Sequence, residues 1–172
     1  MLLKLFGIVC IMSGSIGVPF CYCKKLRGRI RLFGEFREAL SYVEGEIRYS
    51  RTSLPESLLL AGRQRNSCTA DVFKKVGESA LIDPGIDLRC MLEQEAKRHF
   101  GGILSEGECR KSFEFAAPEG FMDYRMQCAS LEKTTDWMLT QEMRMNKDYH
   151  DKCRMAWSFG IMGGTILVLM LI

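Results

Sequence analysis

Both ends of this chain are stripped of charge, and that constrains its fold more than anything between them. No Asp, Glu, Lys or Arg occurs over the 19 positions from Leu5 to Cys23, or over the 18 from Met155 to Ile172. At about 1.5 Å rise per residue either segment forms a helix roughly 27 Å long, close to the ~30 Å hydrocarbon thickness of a bilayer. The C-terminal segment finishes in an unbroken apolar run, GTILVLMLI, whereas the N-terminal one is interrupted by Ser13, Ser15, Pro19 and several glycines. All 21 acidic residues fall between Glu35 and Asp151. A chain of 172 residues has room for one such central body, and a formal charge of +3 gives no reason to expect nucleic acid.

The N-terminal segment reads either as a cleaved signal peptide or as a retained anchor, and its flanks favour the anchor. Only Lys4 precedes the apolar run, while KKLRGRIR follows it, with Lys24, Lys25, Arg27, Arg29 and Arg31 and no acid. A signal peptide carries its basic residues first and a small-residue cleavage site after. The positive-inside rule then leaves the N-terminus outside and the residues after Cys23 in the cytoplasm. Lys147, Lys152 and Arg154, just before the apolar tail, agree with that orientation. The expected organisation is an anchor over residues 1–23, a cytoplasmic helical bundle over 24–154 and a membrane helix over 155–172. Eight cysteines do not make a disulfide framework here, because no CxxC occurs and most stand singly, and a cytosolic body keeps its thiols reduced. Cys21 and Cys23, at the membrane edge, read either as acylation sites or as apolar filler.

Between the two ends the pattern is helical throughout, with no period-2 strand signal. Phe33, Phe36, Leu40, Val43 and Ile47 recur at spacings of three and four and form the apolar seam of an amphipathic helix. Within EGEIRYSRTSLPESL one helix ends and the next begins almost at once. Ser53 followed three residues later by Glu56 predicts a capping box, with Pro55 in the first turn, where its missing N–H costs little. Leu54, Leu58 and Ala61 share one side of this second helix. A third helix, capped by Thr69 or Asp71, includes Val72, Phe73 and Val76. Asp83-Pro84-Gly85 is a turn. A fourth helix covers Ile86 to Phe100, and Gly101-Gly102 stops it. Ser105 with Glu108 is a second capping-box pattern, opening a helix through Phe113 and Phe115. After Asp123, an N-cap candidate, no Pro or Gly occurs until Gly160, which predicts one long helix continuing toward the apolar tail. The expected fold is an all-α bundle of about six helices, with a membrane helix at each end.

No reaction centre emerges. The chain has no Walker-type phosphate loop, HExxH, GxSxG or metal-spaced Cys/His cluster, so no catalytic, cofactor-binding or metal-ligating residue is expected. His99 and His150 stand alone and read as surface or interhelix residues. Glu44 and Glu46 are two apart, so on a helix they point in different directions and do not make a carboxylate pair. The methionines of the long helix suit a gap-filling or lipid-facing use better than a promiscuous groove. Gly160 and Gly164 form a GxxxG in the tail, the pattern that lets membrane helices approach closely, either against the N-terminal anchor or against a partner.

Three blocks together resemble the stage III sporulation protein AB family. REALSYVEGEIRYSRTSLPESL, from Arg37 to Leu58, matches the family's first helix end and second helix start. Phe115, Gly120, Asp123 and Gln127 match a Phe, a Gly, and an Asp and Gln four apart at the start of the last long helix. The tail SFGIMGGTILVLMLI follows the basic Arg154. The chain departs from the family where Ser53 stands in place of a Pro, at Glu119-Gly120 in place of a Leu-Gly pair, and at Pro118; residues 65 to 110 carry little that matches.

The resemblance implies a role in endospore formation, within the channel assembly between mother cell and forespore. It implies a likeness to the six-helix cytoplasmic F domain of type II secretion platforms. The implied partners are the stage III sporulation protein AA ATPase, other stage III A channel proteins and membrane lipids, with no nucleic acid or small-molecule substrate. The implied place is the outer forespore membrane, with the body in the mother-cell cytoplasm. Glu44, Glu46, Arg48, Asp123 and Gln127 are then expected in structure or partner contact, with Asp123 either an N-cap or an ATPase contact. The alternative is a general membrane-anchored helical scaffold for another cytosolic partner.

Overall fold

A computed structural model of the chain describes residues 2–64, 66–83, 85, 87–116 and 124–171. Their regular structure is entirely helical: α1 (Leu2–Gly45), a π-helical turn (Glu46–Ser50), α2 (Leu54–Gln64), α3 (Cys68–Ile82), α4 (Leu88–Phe100), α5 (Glu106–Ser112), a 3₁₀ turn (Glu114–Ala116) and α6 (Tyr124–Leu171). Packing divides them into two compact units. One comprises Arg31–Glu142; the other comprises Met1–Ile30 with Met143–Ile172. Lys24 to Arg29, after the first apolar run, and Lys147 to Arg154, before the second, thus belong to the same unit as the apolar ends.

The central unit is organised around α1. All five seam residues are buried, Leu40 and Val43 completely. Phe36 is the hub, meeting Phe73 of α3, Phe100 of α4 and Phe113 after α5 edge-on, with ring centroids 5.8, 5.6 and 5.6 Å away. Edge-to-face contacts of this kind add about 0.5–1.5 kcal/mol each beyond burial. From α6, Leu131 and Met138 reach the same core, and Trp137 lies against Phe33. Methionine use on α6 is mixed: Met138 is fully buried, whereas Met126, Met143 and Met155 are exposed.

Two glycines set the closest approach within this unit. A methyl group on Gly77 of α3 would lie 2.7 Å from Leu59 N and 2.8 Å from Pro55 O of α2. One on Gly62 of α2 would lie 2.7 Å from both Ala70 O and Lys74 Cα of α3. Backbone therefore meets backbone on both sides of the α2–α3 contact.

Helix starts follow local chemistry, with two corrections to expectation. Ser67 caps α3 by accepting from Ala70 N–H, not Thr69 or Asp71. Thr69 lies inside the helix and is buried, so its hydroxyl cannot serve a terminus that begins one residue earlier. At α2 the expected Ser53–Glu56 capping box is not formed among the described residues. Ser53 instead acts through its carbonyl, which accepts from both the N–H and the hydroxyl of the fully buried Ser57 at 2.9 Å. That second bond ties the α2 start from within, without either predicted side chain. The Ser105–Glu108 box is present in full. Asp87 caps α4, and Gly85 N–H donates to Asp83 Oδ1 in the turn before it. Asp123, the N-cap candidate for α6, lies outside the described residues, as do Pro118, Glu119 and Gly120.

In the other unit, the N-terminal part of α1 pairs with the C-terminal part of α6. Among the described residues one helix, Tyr124–Met170, is long and apolar enough to cross a membrane, and only 6% of its most apolar window is buried. A soluble core helix would be mostly covered. Pro19 sits inside α1 and has no N–H to offer the carbonyl of Ser15.

Candidate functional site

The residues singled out at the end of the first amphipathic helix do not all converge. Glu44 and Arg48 do: their side chains form a 2.7 Å ion pair one turn apart, and Arg48 also lies 3.7 Å from Glu132 of α6. Glu44 is the principal reason that the Arg48 guanidinium is held even more firmly charged than usual. Glu46 turns elsewhere, toward Tyr42, and its carboxylate pushes that phenol above its ordinary range. Gln127 is half-buried in the first turn of α6. Asp123 lies outside them.

Three residues not foreseen complete the cluster. The Tyr124 hydroxyl donates to the Arg48 carbonyl at 2.7 Å, satisfying a carbonyl that the end of the π turn would otherwise leave open. The Arg51 guanidinium stacks over the Tyr124 ring, 4.6 Å from its centre. Glu132 supplies the second acid. Arg51 is also the one positive-φ non-glycine among the described residues, at 57°; this left-handed residue ends the π turn and reverses the chain. Burial of the Tyr124 phenol, with Cys128 beside it, raises its pKa and keeps it a neutral donor.

The arrangement is a fixed junction with a charged outer face. Arg48 keeps 45% of its side chain exposed and Glu132 62%, and Tyr49 next to them is 84% exposed. A tyrosine and two arginines on a rigid turn are the residue types that anchor protein interfaces.

The glycine pair of the tail has its own geometry. A Cβ on Gly160 would lie 2.7 Å from Ser15 O and 2.6 Å from Pro19 Cγ, and one on Gly164 would collide with the Ser15 side chain. Ser15 Oγ donates to Gly160 O at 2.7 Å. The Ser15–Pro19 stretch of α1 therefore lies directly against the Gly160–Gly164 stretch of α6, with the Ser15 hydroxyl bonded across the contact. Further along the pair, the Arg27 guanidinium stacks 5.7 Å from the centre of the Tyr149 ring.

The family model of stage III sporulation protein AB matches residues 4–172 of the chain. No curated protein and no solved structure matches it.

Proposed function

The chain belongs to the stage III sporulation protein AB family, with a role in sporulation, and we propose that it serves there as a non-enzymatic membrane platform. In this reading both apolar ends sit in the outer forespore membrane and the Arg31–Glu142 unit stands in the mother-cell cytoplasm. The unit receives the stage III sporulation protein AA ATPase and passes its nucleotide-driven movement to other stage III A channel proteins, as the F domain does in type II secretion platforms.

The observation that carries the reading is the junction of Glu44, Arg48, Arg51, Tyr124 and Glu132. Every member is fastened to another helix or turn, so a push on it displaces the Phe36-centred core as a body; a close-packed interior yields little. The basic segments after Cys23 and before Met155 support the orientation.

Binding of the purified ATPase to the full-length protein in detergent tests the partner. Reversing Arg48 to Glu, which places three acids together, is expected to weaken binding about tenfold, the effect of ~1.4 kcal/mol at one anchor residue. An unchanged affinity, or no binding by wild type, would return the protein to a general scaffold. Orientation is read from the exposed Cys68, which should resist an impermeant thiol reagent in intact mother cells and react once they are opened.

A further inference from the structure

Within the unit formed by Met1–Ile30 and Met143–Ile172, the helix pair leaves a groove of about 650 Å³. Its walls include Gly14, Val18 and Tyr22 of α1 and Lys152, Phe159 and Gly163 of α6. Gly160 and Gly164 make the interhelical contact, but Gly14 and Gly163 do not: nothing lies within 4 Å of a Cβ placed on either. They widen the groove rather than close it.

The groove is chemically polarised. From Leu167 to Met155 and from Gly14 to Pro19 its lining carries no charge, and its only charged wall residue, Lys152, lies beyond Met155 on α6, as Tyr22 lies beyond Pro19 on α1. Lys152 to Leu167 spans 15 residues, about 22 Å of helix, against ~15 Å for one leaflet of hydrocarbon. Further cations stand in sequence around the charged end: Lys24, Lys25 and Arg27 on α1, and Arg154 on α6. The acids on the facing stretch of α6 are Asp148 and Asp151. Asp148 pairs with Lys152 at 3.1 Å, but both side chains are about half exposed, and such pairs hold weakly.

We infer that this groove is a binding site for an anionic phospholipid, with an acyl chain along the Gly14–Gly163 floor and the phosphate met by Lys152 and the Tyr22 hydroxyl. The inference rests on the membrane reading of the two ends. Charge complementarity selects the occupant. A second copy of the chain, seated symmetrically in the groove, would bring this basic end against itself, whereas a phosphate on a long apolar tail matches both ends of the groove.

Full-length protein in mixed-lipid nanodiscs, released and weighed by native mass spectrometry, reads the retained lipid directly. Phosphatidylglycerol should be retained about fivefold over phosphatidylcholine, the effect of one interfacial lysine. Lys152→Gln should remove that preference, Lys147→Gln should leave it, and Gly163→Leu should reduce retention of both lipids. Equal retention of the two lipids by wild type, or equal loss with Lys152→Gln and Lys147→Gln, would overturn the site while leaving the membrane platform intact. A dimer that Gly163→Leu dissociates would assign the groove to a second copy instead. Extraction from vesicles by high salt alone would remove the membrane reading itself, and is scored first.

Discussion

Alanine is the best helix former, so replacing a helical glycine with it ordinarily stabilises a helix by up to ~1 kcal/mol. Gly77→Ala is expected to do the opposite. Its new methyl group would sit 2.7–2.9 Å from Leu59 N, Pro55 O and Leu59 Cα. All three are backbone atoms, which cannot rotate aside. Relief requires α3 to move away from α2, loosening Phe73 and Val76 in the core. Overpacking of this kind costs about 1–3 kcal/mol, and contact with three backbone atoms puts this case near the upper figure; after the propensity gain, a net loss of about 2 kcal/mol remains. Gly62→Ala meets the mirror situation and should lose a similar amount. The double variant should lose less than the sum by about 1 kcal/mol, because a separation opened for one methyl already accommodates part of the second. Gly45→Ala is the control. It is helical, with nothing within 4 Å of its Cβ, and should gain stability. Denaturant unfolding of the full-length protein in detergent, followed by circular dichroism, measures all four. If Gly77→Ala is as stable as wild type, the close approach of α2 and α3 is wrong; a strictly additive double variant would refute the shared displacement.

Ser105→Ala should cost about 1 kcal/mol by opening a complete capping box, whereas Ser53→Ala should change stability by a few tenths at most; the same unfolding assay compares them. Glu95 is buried and hydrogen-bonded to Lys75 at 2.8 Å and Arg98 at 3.0 Å, and the Lys75 bond holds its carboxyl below the ordinary range. Its contribution is therefore complete above the unfolded value near pH ~4.3 and is lost as pH falls through the lower folded pKa; Glu95→Gln should flatten that acid limb at a loss of about 1 kcal/mol near neutrality. Cys23 of α1 and Cys153 of α6 face each other closely enough to interact across the helix pair, so mild copper-catalysed oxidation should link them within one chain. Failure to link, with Cys23→Ser as the negative control, would reject the pairing of α1 with α6.

The parts of the fold that were legible in the sequence are those governed by periodicity and by breakers. The five seam residues, four in α1 and Ile47 in the π turn, were readable because a helix repeats every 3.6 residues, and each one is buried. The length of α6 was readable because neither Pro nor Gly interrupts residues 124–159. Choices among adjacent polar residues were not: Ser67, Thr69 and Asp71 all have capping side chains, and only the entry angle of the chain selects Ser67. The candidate site was half legible. Glu44 and Arg48 pair at a spacing that sequence displays, but Tyr124 reaches Arg48 across 76 positions, and Arg51 adopts a left-handed turn that an arginine does not advertise. Nor does a serine in an apolar run reveal which distant glycine carbonyl will accept its hydroxyl.

That last arrangement bears on how the protein is made. The Ser15 hydroxyl of α1 finds its acceptor only at the Gly160 carbonyl, 145 positions later in the chain. The early segment leaves the ribosome unfinished and stays so throughout synthesis of the body. Its pairing awaits the tail, so a nascent chain cut short before Gly160 would present quality-control machinery with a first helix that has never met its partner.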